Sequence, residues 1–598
     1  MAIAGASWLI DPVGAQSQFT GADFSDDDLL YARTAEDFVR HEVLTRLDEI
    51  ESKREGVMPS LLKRAGELGL LMIDVPQEYG GLGLNKTTSM LVSERGALCA
   101  SFSVSWGAHT GIGTLPLVYY GTEAQKRRYL PKLATGEWLA GYALTEPGSG
   151  SDALGARTRA ERAADGSYRL TGTKQFITNA GFADLFTVFA KVDGDKFTAF
   201  LVERNTPGLS TGPEEKKLGI RGSSTRQLIL DDVVVPADAV LGEVGQGHKI
   251  AFNILNIGRF KLGAGAGGAA KECLQVALDY ARERKQFGQP IASFGMIQRK
   301  LADMATRIYV ADSMSYRTAG LMDLAAAAID AHASDAPARL VRESIEEYTV
   351  EASILKVFGT ETLDFVADEA LQILGGYGFT EEYPVERHYR DSRINRIFEG
   401  TNEINRLIIP ATLVKRIGTG ALPYLDFLQQ VDRELADAAA RPQADDRALG
   451  CERAATERAK RVVAYTIRVM MERDLASLKH KQQHLEIFSN MVIEVFAMDS
   501  VVNRTRLLLE RGADDANALR LAMTRVYVAS ANERVADGAR RLLANELEGD
   551  ALREHLANVN SLVLDFPIRT IAAKTQIAEA LVAAGVGPIF LRDAVRQS

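Results

Sequence analysis

The chain has 598 residues, 46% of them hydrophobic and 25% charged, with Lys+Arg 70 against Asp+Glu 79 and a formal net charge of -9. At roughly 100 to 200 residues per domain, that length predicts about three or four domains and excludes a small stapled module. Mild acidity without a dense Lys/Arg run excludes a nucleic-acid backbone as the main partner. Three widely separated cysteines, Cys99, Cys273 and Cys451, form neither a CxxC pair nor a disulfide framework and fit a reducing cytoplasm.

Met1 to Phe24 has no basic n-region and no apolar run of signal length, so no targeting segment is expected there. From Asp26 to Leu139 apolar residues recur at three and four, as in Leu29, Leu30, Ala32, Ala35 and Phe38, which predicts a helical domain over 26–140. Short β-branched or aromatic runs follow at Ser167–Thr173, Phe186–Val192, Phe197–Glu203 and Gln227–Val235. Separated by Gly, Asp, Asn and Pro, they predict a middle β domain over 141–245. The helical period returns in long stretches such as Gly263–Arg284 and Thr349–Leu374, giving a second helical domain over 246–418.

Residues 419–450 hold two prolines and an excess of carboxylates over arginines, and read as a linker with one partly helical piece. Beyond them, 451–592 is again helix-rich, an additional all-helical domain. Its apolar stretch Ala580–Leu591 is well short of the ~20 residues a spanning helix needs. The expected class is therefore mainly α with a central β domain, with no repeat of solenoid length.

Two motifs invite functions that their context does not support. Gly263, Gly265 and Gly268 match GxGxxG, but no strand precedes them and the Ala/Gly pattern runs on into AAKECLQVALDYA. Close helix packing explains them better than a dinucleotide fold. His480 and His484 form HxxxH on what reads as one helical face, yet the Glu of HExxH and a third ligand are missing, so no metal is expected.

Four other segments carry more. YALTEPGSGSD, Tyr142 to Asp152, is a loop of exposed N–H and O–H donors that suits the polar edge of a planar cofactor, or is an ordinary turn. KQFITNAG, Lys174 to Gly181, offers Phe176 for stacking and Thr178 for a hydrogen bond, or is merely a strand end. ERKQFGQPI, Glu283 to Ile291, closes a long helix. The stretch Gln372 to Arg406 contains Glu399 followed by Gly400 and Thr401. That flexible step lets a carboxylate reach into a cleft, while Thr401 also suits a helix N-cap.

In this order the four segments resemble the acyl-CoA dehydrogenases over roughly Asp26 to Ile417, and the additional helical domain, with ILNIGRF and VLGEVGQGHKIAF, looks most like the very-long-chain branch. The resemblance implies a helical domain, a β-barrel domain and a four-helix domain, plus the C-terminal extension. It also implies a flavoenzyme using FAD to oxidise a fatty acyl-CoA to the trans-2-enoyl-CoA. By position Glu399 would be the base for the α-proton, with its backbone N–H and a flavin ribityl hydroxyl stabilising the enolate oxygen. Arg259 would orient or tune that base. In some relatives the base precedes this arginine instead; here that residue is Gly258.

The same matching assigns Tyr142, Leu144, Thr145, Ser151, Phe176 and Thr178 to the flavin within one subunit. Phe176 stands where many relatives have Trp, which keeps stacking with less area. Ser151, Asn256, Arg259 and Gly400 would lie along the substrate. Arg284, Gln286, Phe287, Gln372, Gly375 and Gly376 would hold the FAD adenosine and pyrophosphate from a neighbouring subunit, with Thr401 and Glu403 completing the site. That implies at least a homodimer. Small residues Gly107, Gly111 and Gly113 suit a long acyl chain, or are packing glycines. Electron-transferring flavoprotein is the implied acceptor, and the acidic linker leaves at most peripheral membrane contact. An acyl-CoA oxidase and a non-catalytic flavin-binding scaffold are the alternatives.

Overall fold

The computed structural model describes residues 3–330, 339–512 and 516–587. Ser25 accepts a hydrogen bond from the Asp28 N–H at 3.2 Å and opens helix α1 (Asp26–Phe38). Three aspartates stand in its first turn, at the positive end of the helix dipole, and Ala32, Ala35 and Phe38 bury its apolar stripe. Helices α2 (Leu47–Glu51), α3 (Val57–Glu67), α4 (Lys86–Arg95), α5 (Ala100–Gly107), α6 (Leu115–Tyr120) and α7 (Glu123–Thr135) complete this first unit. A Thr122–Gln125 capping box starts α7, and Gly136 at φ 73° ends it.

The β segment forms β1 (Ala140–Ala143), β2 (Arg159–Arg162), β3 (Tyr168–Thr178), β4 (Leu185–Val192), β5 (Lys196–Glu203), β6 (Leu209–Thr211), β7 (Thr225–Val235) and β8 (Val240–Leu241). Their order is β6-β7-β3-β2-β4-β5-β8, and β1 pairs with β4 in parallel. The four runs read as strands fall on β3, β4, β5 and β7. The register of β3 against β7 shifts between Lys174 and Ile177, so a bulge interrupts the ladder at Phe176.

The second helical unit contains α8 (Gly247–Glu283), α9 (Gly295–Ala327), α10 (Thr349–Leu374), α11 (Pro384–Ser392) and α12 (Asn402–Gly418). The GxGxxG glycines lie in the middle of α8, and it is helix, not a strand, that leads into them. A Cβ on Gly263 would sit 3.1 Å from the Leu355 carbonyl oxygen, and one on Gly268 2.1 Å from that of Glu94. Gly263 and Gly268 permit close helix crossing, as the sequence context suggested, whereas a Cβ on Gly265 would meet nothing within 4 Å.

In the stretch read as a linker, α13 (Tyr424–Ala436) buries Tyr424, Phe427 and Val431 in the main core. Helices α14 (Gly450–Leu478), α15 (Gln482–Glu510), α16 (Asn517–Glu546), α17 (Gly549–Leu562) and α18 (Thr570–Ala584) follow. Residues 588–592 of the expected domain, with the end of its apolar stretch, lie outside the described residues. The HxxxH reading needs correction: His480 sits in the turn between α14 and α15, so the two histidines do not share a helical face. His484 Nε2 lies 2.9 Å from Glu546 Oε1 instead. Among the described residues no His/Cys/Asp/Glu group suits a metal ion, and no helix is long and apolar enough to cross a membrane.

The N-terminal arm is part of this core. Trp8 is buried with its ring 4.6 Å from Phe496, and its Nε1 donates to Glu351 Oε1 at 2.9 Å. Nearby, buried Asp499 lies 2.6 Å from Arg317 Nη1 and 2.5 Å from Lys460 Nζ, joining α9, α14 and α15.

Candidate active site

Glu399 precedes α12 at a sharp turn. Its φ is 58° and that of Gly400 is 80°, so two successive residues take the left-handed conformation, a strained one for Glu. The surroundings hold this turn. Thr401 caps α12 by accepting from the Ile404 N–H at 3.2 Å, and Asn405 Nδ2 donates to the Gly400 and Thr401 carbonyls at 2.9 and 3.0 Å. Arg259 on α8 donates through Nε to the Glu399 carbonyl oxygen at 3.1 Å and through Nη1 to Asn256 Oδ1 at 2.9 Å. The guanidinium therefore grips the backbone of the turn, and its charge acts on the carboxylate through space.

The carboxylate lies over Gly258, where a Cβ would come within 2.5 Å of Glu399 Oε2. That oxygen is buried and has no hydrogen-bond partner among the described residues. Burial pushes the Glu399 carboxyl up to about 7, against the pull of Arg259 and Lys356 toward the anion. Such a carboxyl is divided between its acid and anionic forms near neutral pH.

One cleft of about 740 Å³ gathers Tyr142, Leu144, Thr145, Ser151, Phe176, Thr178, Asn256, Arg259, Glu399 and Gly400. Leu144 and Phe176 give it an apolar wall, and the hydroxyls of Thr145, Ser151 and Thr178 border it. The β3 bulge leaves Phe176 at φ 58° with 62% of its surface uncovered. An open aromatic ring beside hydroxyl donors fits a planar, polar-edged group such as a flavin. The first loop is anchored beneath by Glu146, which accepts from buried Lys174 Nζ at 2.7 Å and from the Thr158 N–H at 3.0 Å. Sequence reasoning missed that ion pair, although Glu146 and Lys174 both lie in the segments it singled out.

Past Glu399 the site continues into a second cavity of about 180 Å³, lined by Ala97, Ala100, Gly107, Gly111, Gly258 and Gly265 on its small-residue side and by Lys261, His388, Asp391 and Asn395 among its polar residues. Glu399 lines both spaces. Gly107 and Gly111 border the second cavity, whereas Gly113 packs against Ala108 and Ala140.

Six of the other eight expected cofactor residues lie elsewhere. Arg284, Gln286, Phe287, Gln372, Gly375 and Gly376 are exposed, and none lines the cleft. Arg284 stacks 5.6 Å from the Tyr377 ring, which brings the hairpin after α8 to the turn after α10, and Phe287 is 93% exposed. Thr401 and Glu403 stand at the start of α12, beside the cleft-lining Gly400. Lys356, wholly buried on α10, was not foreseen.

A strained carboxylate thus stands between an aromatic-walled cleft and a second cavity, framed by helical, β and helical units. Family models described as acyl-CoA dehydrogenase N-terminal, middle and C-terminal domains match residues 25–137, 141–233 and 245–414, and a further C-terminal domain model of that family matches 459–561. A probable acyl-CoA dehydrogenase of Bacillus subtilis is 47% identical over 96% of this chain and 97% of its own length. The crystal structure of a Bacillus anthracis acyl-CoA dehydrogenase complexed with FAD superposes with a TM-score of 0.95 at 45% identity, covering 98% of this chain and 99% of that one. The human very long-chain specific acyl-CoA dehydrogenase is 44% identical over 57% of this chain and 51% of its own length. The chain belongs to the acyl-CoA dehydrogenase family, and it is an enzyme that uses FAD.

Proposed function

We propose that the enzyme oxidises long-chain fatty acyl-CoA to trans-2-enoyl-CoA in fatty acid β-oxidation, with Glu399 as the base. The observation that carries this reading is the Glu399 carboxylate at the junction of the two cavities, buried and with Oε2 unpartnered among the described residues. The α-proton of a thioester is a very weak acid, so its removal needs a raised-pKa base and donors at the developing enolate oxygen. The Glu399 backbone N–H is the donor the chain would supply. Arg259 holds the turn and keeps positive charge beside the carboxylate. Asn256 and Gly400, with Ser151, would flank the thioester.

Tyr142, Leu144, Thr145, Ser151, Phe176 and Thr178 would hold the flavin. Bound FAD supplies the two-electron acceptor for the hydride leaving the β-carbon. Closure of the cleft by the acyl chain excludes water and strengthens each of these electrostatic effects.

The exposed set around Arg284, Phe287, Gln372 and Gly375 supports a homodimer in which it would serve the FAD of a second copy, with Thr401 and Glu403 completing that site. The C-terminal extension would then cover surfaces that a second pair of subunits covers in tetrameric relatives. Light scattering is expected to give a dimer at micromolar protein. We assign electrons to an electron-transferring flavoprotein rather than to oxygen, and place the enzyme in the cytoplasm with at most peripheral membrane contact.

Chain length is tested by anaerobic visible spectra after adding palmitoyl-CoA or butyryl-CoA to the holoenzyme. The small residues along the second cavity lead to the expectation that the long substrate bleaches the flavin band at lower concentration. Preference for butyryl-CoA would overturn the long-chain assignment, and fast reoxidation by air would favour an oxidase.

A further inference from the structure

Lys356 is a second buried cation at the site, and the mechanism above does not use it. Its Nζ donates to Asn402 Oδ1 at 2.7 Å, and Asn402 is the first residue of α12, three positions after Glu399. The Asn402 amide in turn donates to Thr360 Oγ1 at 3.2 Å and to Glu361 Oε1 at 3.0 Å, both on α10. Glu361 also accepts two hydrogen bonds from Arg406, at 2.8 and 3.0 Å, one turn further along α12. Helix α10 thus clamps the start of α12 at two levels, and the strained turn bearing Glu399 leads directly into the clamp.

Electrostatics points the same way. The charged or titratable groups facing Glu399 are Arg259 from α8, Lys356 from α10 and Tyr142 from β1. Those facing Lys356 are Glu399 just before α12, Glu403 in its first turn, Arg259 from α8 and Glu361 on its own helix. Burial pushes the Lys356 ammonium down to about 7, and Glu399 is the largest influence pulling it back up. Opposite charges withdrawn from water act on each other more strongly than at the surface.

We infer that Lys356 is a positioning residue for the base: bonded to Asn402, its ammonium fixes the Glu399–Asn402 segment against α10 and favours the anionic form of Glu399. This rests on Glu399 being the base. A neutral side chain at 356 removes both the anchor and the charge, whereas loss of the Asn402 amide removes the anchor alone.

The test compares the full-length holoenzyme with Glu399→Gln, Lys356→Met and Asn402→Ala. Infrared titration of the carboxyl band that Glu399→Gln abolishes follows the protonation of Glu399 without turnover. In Lys356→Met that band is expected to titrate at least about one pH unit higher, and the fraction of active base at pH 7 to fall about fivefold, from about one half to about one tenth, since one unit is a tenfold change in the ratio of anion to acid. The KM for palmitoyl-CoA and the flavin spectrum stay those of the parent. Asn402→Ala is expected to lower kcat without moving the band upward. A Lys356→Met enzyme with the parent's titration and kcat would overturn the inference. If Lys356→Met does not retain FAD, Asn402→Ala decides: parental kcat contradicts the clamp, and reduced kcat with bound FAD supports it. Full activity of Glu399→Gln would instead sink the reading of Glu399 as base, and the inference with it.

Discussion

At the residue scale, the position of Gly258 makes a sharp prediction. Its missing Cβ leaves the space into which Glu399 Oε2 projects, so Gly258→Ala must displace the carboxylate. A misplacement of about 1 Å at a reacting group lowers rates about 10²-fold, and kcat is expected to fall on that order while FAD stays bound. A parental kcat would show that the carboxylate does not act from this position. The residues that share the cleft were pointed to by four segments resembling a family when taken in order. Singly, a carboxylate before Gly-Thr fits a helix cap and an aromatic near a threonine fits a strand end, so their juxtaposition is not encoded in any one of them. Lys356, and the Glu146–Lys174 pair, were not legible. Their significance lies in burial and in partners 46 and 28 residues away, which no local pattern encodes.

At the scale of elements, one motif contains glycines with opposite roles. A Cβ on Gly268 would meet backbone of α4, whereas a Cβ on Gly265 meets nothing within 4 Å. Gly268→Val is therefore expected to destabilise the protein by about 1–3 kcal/mol or more through overpacking. Gly265→Ala is expected to stabilise it by roughly 0.5–1 kcal/mol through helix propensity. Thermal melts of the two variants check both signs. The long helices were readable because their apolar period extends over many turns. Strands β1, β2, β6 and β8 were not, and the reasons are physical. Arg159–Arg162 is largely charged and Val240–Leu241 spans two residues, so their pairing is set by neighbouring strands rather than by their own composition. The histidine pair misled for the converse reason: i,i+4 spacing implies a shared face only where one helix is continuous.

At the scale of the molecule, the N-terminal arm, the catalytic units and the C-terminal extension share one core, and Asp499 lies at their junction between Arg317 and Lys460. Asp499→Asn leaves two buried cations without their counter-charge and is expected to cost about 3–5 kcal/mol in stability. The two cations hold the Asp499 carboxyl below its ordinary range although burial alone would raise it. A depressed carboxyl contributes stability that is present above the unfolded value of about 4 and disappears as pH falls through the folded one. The parent's melting temperature should therefore decline more steeply than the variant's as pH drops below about 4. The junction was invisible in sequence because Trp8, Arg317, Lys460 and Asp499 are remote along the chain, and Met1 to Phe24 showed no pattern of its own.

The central claim is that Glu399 removes the α-proton, and the pre-steady-state rate of anaerobic flavin bleaching by palmitoyl-CoA, in the parent and Glu399→Gln from pH 5 to 9, tests it most directly. The account predicts a parental rate that rises with pH through a midpoint near 7, where Glu399 loses its proton, and then levels off. Glu399→Gln should be slower by about 10²- to 10⁴-fold, the usual contribution of a positioned general base. Bleaching of Glu399→Gln at the parental rate, with the parent's pH dependence, would contradict it.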